Sequence, residues 1–260
     1  MESQLRRLDV DYTIISAIDG KSLPESSFRE FSDIRFQRRH GERQFLAAEV
    51  GCSLSHMKAY RKMLEAGHSH AVILEDDVLL DRDIRKHVEE VARTMSSADP
   101  EIILLSPINS YFLDGKTIID RYQVVDVASA RLAWGYIINA RAARLLMQRN
   151  FPVRFLADDW KRVRYYTGCE IRAVLPALVG EHLTARDSHA PALRRSAQRV
   201  RRLRRPMRLR SRLLQVPLRL SMWLDGLLRR KQNVTQAQTR LRRPPLTSVP
   251  TDAAAQVARD

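Results

Sequence analysis

With 260 residues, 44% of them hydrophobic, and only two cysteines, the chain is long enough for one full domain plus an appendage and too poor in cysteine for a disulfide framework or a thiolate-held metal. No run approaches the roughly 20 apolar residues of a membrane span, and the N-terminal MESQLRRLDVDY has no signal-peptide core, so the product is expected in the cytosol or peripherally on a cytoplasmic membrane face. The net charge of +15 is not spread over the chain: Arg194 to Arg243 carries 17 Lys and Arg against one acid, Asp225, whereas residues 1–193 balance, which disfavours nucleic acid as a partner of the body.

In chain order, YTIISAI (Tyr12 to Ile18) is a β-branched run that predicts a strand. Glu49 to Ala66 has helical spacing through Val50, Leu54, Met57 and Leu64, with Gly67 as its C-cap. AVILE (Ala71 to Glu75) predicts a buried strand, and Ile84 to Met95 a helix. EIILLS, ending at Pro107, then YQVVDV and WGYIINA predict further strands, and Arg141 to Gln148 a helix stopped before Pro152. This alternation predicts an α/β fold, a mainly parallel sheet with helices on both faces. The one composition boundary lies near Pro191, separating a domain of residues 1–190 from an Arg-rich tail of residues 191–260.

Ligands of such sheets collect beyond the carboxyl ends of the strands, where ILEDDVLL delivers Glu75, Asp76 and Asp77 together. Adjacent carboxylates repel, and a divalent cation between them relieves the cost; their oxygen ligands suit Mg2+ or Mn2+. A metal there can bridge the phosphates of a nucleotide diphosphate. The same triplet also suits an acidic turn before the helix at Ile84.

The stretch AEVGCSLSHMKAYRKMLEAGHSHAVILEDDVLL resembles glycosyltransferase family 25, the lipooligosaccharide and lipopolysaccharide galactosyltransferase family to which collagen galactosyltransferases are related. Glu49, Gly51, Cys52, Leu54, Ser55, His56, Tyr60 and Glu75 to Asp77 carry the resemblance, with SAIDGKSL upstream and GYIINARAARLLM downstream; it covers about residues 8 to 185. It implies a GT-A type fold for nucleotide-diphospho-sugar transfer, a UDP-sugar donor with galactose favoured, a lipid-linked or lipooligosaccharide acceptor, Mn2+ or Mg2+ dependence and inversion at the anomeric carbon. Two departures stand out. The family opens on a Val-Ile-Asn-Leu type strand, whereas this chain begins at the helix after it, so that strand is expected to be missing through a late start codon or a truncated gene. Ala48 stands where the family tends to have Gly.

An inverting transferase needs a base for the acceptor hydroxyl, and Asp158 and Asp159 in FLADDWKRV are the candidates, Asp159 the favoured one. The pair equally suits a helix N-cap, and Trp160 beside it suits either an acceptor sugar or the core. Asp19 and Gly20, Glu75 and Asp76, and His56 are the candidate donor contacts, although Asp-Gly also suits a tight turn and His56 also suits packing behind the acidic strand. Asp76, Asp77 and His182 are the candidate metal ligands, His182 suiting the surface equally well. Ser55 has no nearby histidine and acid partners, so a serine hydrolase is not expected. In the tail, thirteen arginines between Arg194 and Arg230 interleave with Leu203, Leu213, Leu214, Leu220, Trp223, Leu224, Leu227 and Leu228, a pattern that predicts short helices at an anionic membrane surface, with nucleic acid the less favoured partner, or a solvated basic extension.

Overall fold

The structure, a computed structural model, describes residues 1–40, 42–119, 121–181 and 216–235. Helices α1 (Glu2–Arg7), α2 (Glu25–Phe31), α3 (Ile34–Arg39) and α4 (Ala47–Glu65) precede the strands β1 (His70–Leu74) and β2 (Val78–Leu80). Helix α5 (Ile84–Ala92), strands β3 (Glu101–Leu104), β4 (Ser110–Phe112), β5 (Thr117–Ile119), β6 (Tyr122–Ser129) and β7 (Gly135–Asn139), helices α6 (Ala140–Arg149) and α7 (Trp160–Thr167), and strands β8 (Glu170–Leu175) and β9 (Val179–Glu181) follow. Helix α8 (Val216–Leu228) and strand β10 (Lys231–Asn233) come from the basic segment.

The main sheet runs β1-β7-β3-β8-β6-β4-β10, with β5 on β6, while β2 and β9 form a separate pair. Parallel pairing occurs between β3 and β8; the other strand pairs of both sheets are antiparallel. The expected mainly parallel sheet is thus corrected to a mixed, mostly antiparallel one. The reason lies in β7, which enters between β1 and β3 and runs against both, a connection that alternating strand and helix signals do not reveal.

Helices do cover both faces. Successive residues of β3 point to opposite sides: Ile102 and Leu104 join Val50, Leu54, Met57 and Tyr60 of α4 in one core, and Ile103 joins Leu5 of α1 and Ile84 and Val91 of α5 in the other. Each fully buried aliphatic side chain of this kind contributes about 1.5–3 kcal/mol. Helix α4 forms where its spacing predicts. Glu49 reaches back to accept the Leu46 N–H (2.8 Å) at its start, and Gly67, at φ +73°, takes the left-handed conformation just past its end.

Two expected strands differ. Tyr12 to Ile18 forms no strand, and Ile14 is 64% exposed. The β-branched run has the propensity, but a strand exists only where a neighbour accepts its ladder; here the run is pinned over α4 instead, by Ile18 N–H to Ser55 Oγ (2.8 Å) and Lys58 Nζ to the Ser16 carbonyl (2.9 Å). The Ala71 to Leu74 strand is present but sits at the end of the sheet, half-exposed rather than buried, with no partner on its outer side among the described residues. Within the tail, β10 pairs with β4, and Arg229 lies 4.0 Å over the Phe112 ring while pairing with Asp114 and Asp126. That part of the basic segment therefore belongs to the sheet of the body.

Candidate active site

Helix α4 and strand β1 lead to the same place. The Glu75 N–H donates to the Trp134 carbonyl (2.9 Å), which ties the end of β1 to the run before β7, and Asp76 and Asp77 follow in an exposed turn before β2. Behind Glu75 lies a polar string. His56, buried on α4, has its Nε2 4.0 Å from Glu75 Oε1 and its Nδ1 2.7 Å from Tyr136 Oη, which is 2.7 Å from Tyr60 Oη. Burial lowers His56 to a pKa of about 4, so its ring is neutral at physiological pH and orders Glu75 without neutralising it.

Glu75 itself is pushed up to about 7, by burial first and then by Asp77, Asp158 and Asp76. Asp158, in the loop before α7, is raised to about 6, by burial first and then by Asp159, with Arg131 opposing. Cys52, one turn before His56, is open to solvent, yet crowding by the surrounding protein and the charges of Glu75, Asp158 and Glu49 push its thiol up to about 12. Asp77 and Asp158, from two separate segments, thus both raise Glu75, the electrostatic signature of a position prepared for positive charge or for proton transfer.

The structure separates the paired candidates. Asp159 accepts the Arg162 N–H as N-cap of α7 (3.2 Å) and pairs with the Arg162 guanidinium, which also holds Glu42. Asp158 takes no part in that pairing, and its charge is among those that raise Glu75. Trp160 is buried, donating Nε1–H to the Leu132 carbonyl (2.9 Å) and standing edge-on to Tyr136 at 5.3 Å, so it packs the core and is not open to a sugar. Asp19 caps its own turn by accepting the Lys21 N–H (2.9 Å). Gly20 lies against the start of α4, where a Cβ would fall 1.7 Å from the Ala47 carbonyl oxygen, and a Cβ on Gly51 would reciprocally fall 2.5 Å from Gly20 N. The two glycines let the chain cross the helix at backbone distance. His182 lies outside the described residues, as do most of the tail residues. Ser55 donates to the Gly51 carbonyl (2.8 Å) and accepts from Ile18, a docking role.

Two groups escaped the sequence reading. Tyr136 sat in a run read only as a strand; the signal was a hydroxyl in a fully apolar strand, which must find a partner when buried. Cys52 is the other. Its sulfur, a His56 nitrogen and a Glu75 oxygen all lie within 4.8 Å of one another, a grouping in which the raised Cys52 stays a neutral thiol at physiological pH. Helical i, i+4 spacing brings Cys52 over His56, and the strand end supplies Glu75 from outside the local sequence.

A sequence model of glycosyltransferase family 25, described as an LPS biosynthesis protein family, matches residues 1–160. The chain belongs to this family. Among family relatives, it is 27% identical over 158 residues to the Lacto-N-neotetraose biosynthesis glycosyltransferase LgtE of Neisseria meningitidis serogroup B, covering 54% of this chain and 56% of that one. It is 21% identical over 164 residues to human Procollagen galactosyltransferase 2, covering 60% and 26%. It is 29% identical over 94 residues to the Probable inactive glycosyltransferase 25 family member 3 of Rattus norvegicus, covering 35% and 16%. The match thus spans about a sixth to just over half of these family members' lengths. The family match ends at Trp160, so it includes every element that contributes Cys52, His56, Glu75, Tyr136 and Asp158.

Proposed function

We propose that this protein transfers a hexosyl group, galactose by family resemblance, from a UDP-sugar to a carbohydrate acceptor with inversion at the anomeric carbon. The observation that carries the reading is Glu75, lifted by burial and by the charges of Asp77, Asp158 and Asp76 together, beside the exposed Asp76 and Asp77. An oxygen-only donor set of mutually repelling carboxylates at an accessible turn fits Mn2+ or Mg2+, and Asp76 and Asp77, with Glu75, would hold it. Such an ion supplies charge neutralisation at a departing diphosphate.

The chain's own residues do the rest. Asp158, less encumbered than Asp159, accepts the proton of the acceptor hydroxyl. That oxygen bonds to the anomeric carbon as the bond from carbon to phosphate oxygen breaks, and the electron pair leaves with UDP. Neutral His56, anchored through Tyr136 and Tyr60, orients Glu75 at the donor side. A glycolipid acceptor, of lipooligosaccharide or lipopolysaccharide type, is supported by the family's tie to LPS biosynthesis and by the lacto-N-neotetraose biosynthesis for which the meningococcal relative is named. Meeting it at a membrane is supported by the exposed Leu220, Leu224, Leu227 and Leu228 of α8, which stand among the arginines of the tail. No helix among the described residues is long and apolar enough to cross a membrane.

The test is turnover of UDP-hexoses by purified protein with and without Mn2+ or Mg2+. Asp77→Asn is expected to abolish metal-dependent turnover, and unchanged turnover would remove Asp77 from the site. Asp158→Asn is expected to lower kcat by about 10²-fold or more with donor KM little changed, whereas Asp159→Asn is expected mainly to lower Tm through the lost helix cap. Equal kcat losses in the two would return the base to Asp159. Metal-dependent UDP affinity without product would move the protein to the class of its inactive relatives.

A further inference from the structure

Away from that site, β2 hands over to α5 through Asp81, Arg82 and Asp83. The Asp81 N–H donates to the Leu178 carbonyl (2.8 Å), and Asp81 Oδ1 accepts the Asp83 N–H (3.0 Å), which fixes the Asp81 carboxylate at the head of α5. One turn on, His87 is 2% exposed and lies tilted against Tyr122, ring centroids 4.3 Å apart. Neither of its ring nitrogens has a hydrogen-bond partner among the described residues, and the buried Glu90 Oε2, 3.6 Å from His87 Nδ1, also lacks one. A buried imidazole without partners forfeits its hydration for nothing in return. Single ligand atoms of Asp81, Asp83 and His87 nevertheless all lie within 4.8 Å of one another, and ligands at about 2.0–2.2 Å from a common ion stand roughly 3–4 Å apart.

We propose that Asp81, Asp83 and His87 bind a divalent transition metal, a second cation site distinct from the Glu75 to Asp77 turn and independent of any sugar transfer there. The donor set of two carboxylates and one imidazole suits Zn2+ or Mn2+ over Mg2+, which favours oxygen ligands and its own waters. Ligation through His87 Nε2 leaves the Nδ1–H facing Glu90, the carboxylate-histidine-metal arrangement that fixes a ligating ring. The ion ties the end of β2 to the head of α5, four residues beyond Asp77.

Metal content after gel filtration, with Zn2+ and separately Mn2+ as the probe, tests this on the full chain carrying Asp76→Asn and Asp77→Asn, so that the first turn does not contribute. One equivalent of Zn2+ or Mn2+ is expected, with Tm raised by the metal, and His87→Gln on that background is expected to weaken binding at least tenfold and to abolish the rise in Tm. No bound Zn2+ or Mn2+ in the background, or the same stoichiometry and affinity after His87→Gln, overturns the site. Asp83→Asn, at a half-buried position, is expected to give the same loss and decides the matter should His87→Gln not fold; unaltered binding there overturns it too. Cobalt substitution offers an independent readout: visible ligand-field bands that change with His87→Gln support a nitrogen ligand, and bands unaltered by it count against one.

Discussion

Glu75 and His56 face each other with displaced titrations of opposite sense. Glu75 is lifted to about 7 and His56 depressed to about 4. At pH values below about 4, Glu75 is protonated in folded and unfolded chains alike and costs nothing. As pH rises toward 7 the unfolded chain ionises first, so folding loses stability, and the penalty is complete above about 7. His56 runs the other way, its penalty growing as pH falls from the ordinary imidazole range toward 4. With a third of the Glu75 side chain exposed, screening limits its share to about 1–2 kcal/mol. Glu75→Gln is therefore expected to raise Tm at pH 8 and leave it unchanged at pH 4; an equal gain at both would assign the effect to packing. Of these residues, the acidic triplet and His56 were legible in the sequence because their neighbours along the chain define them. Asp158 was legible only as one of a pair, since which of two adjacent carboxylates caps α7 depends on Arg162 and Glu42, the latter about 120 residues away.

Elements were legible where local signals suffice. Helix α4 carried its apolar spacing, a Glu at its third position and a terminal Gly, and it forms within two residues of expectation. Tyr12 to Ile18 had the composition of a strand and lacks a sheet to join, a fact no local window contains. The basic segment shows the converse. Its charge suggested detachment, yet β10 is stitched to β4 and Arg229 is held by two carboxylates and an aromatic face. That anchorage presents Leu220, Leu224, Leu227 and Leu228 of α8 outward along one stripe at helical spacing. The chain is accordingly expected to sediment with vesicles containing anionic lipid and to be released by high salt, with Leu224→Ser and Leu227→Ser together weakening binding several-fold. Retention by neutral vesicles alone, or indifference to the two substitutions, would dissociate α8 from the membrane.

For the whole molecule, fold class was legible and strand direction was not. Alternating strand and helix signals identify a sheet clothed on both faces, but β7 and β6 run against their neighbours, and direction depends on which strands meet. The order places β1 last in the row. In the pairing with β7, the Glu75 N–H reaches the Trp134 carbonyl and the Ala140 N–H reaches the Ser69 carbonyl, so odd-numbered positions bond inward and the amides and carbonyls of His70, Val72 and Leu74 face away from the sheet. Val72 is 36% exposed.

A rim of little charge, whose outer donors and acceptors have no partner among the described residues, can recruit an extended segment from another chain, and stacking of that kind grows without limit unless something blunts it. At millimolar concentration this protein is expected to thicken into oligomers by lateral strand addition, with light scattering that Val72→Lys suppresses. The rim that carries Glu75 to the candidate site is then also where solubility is decided.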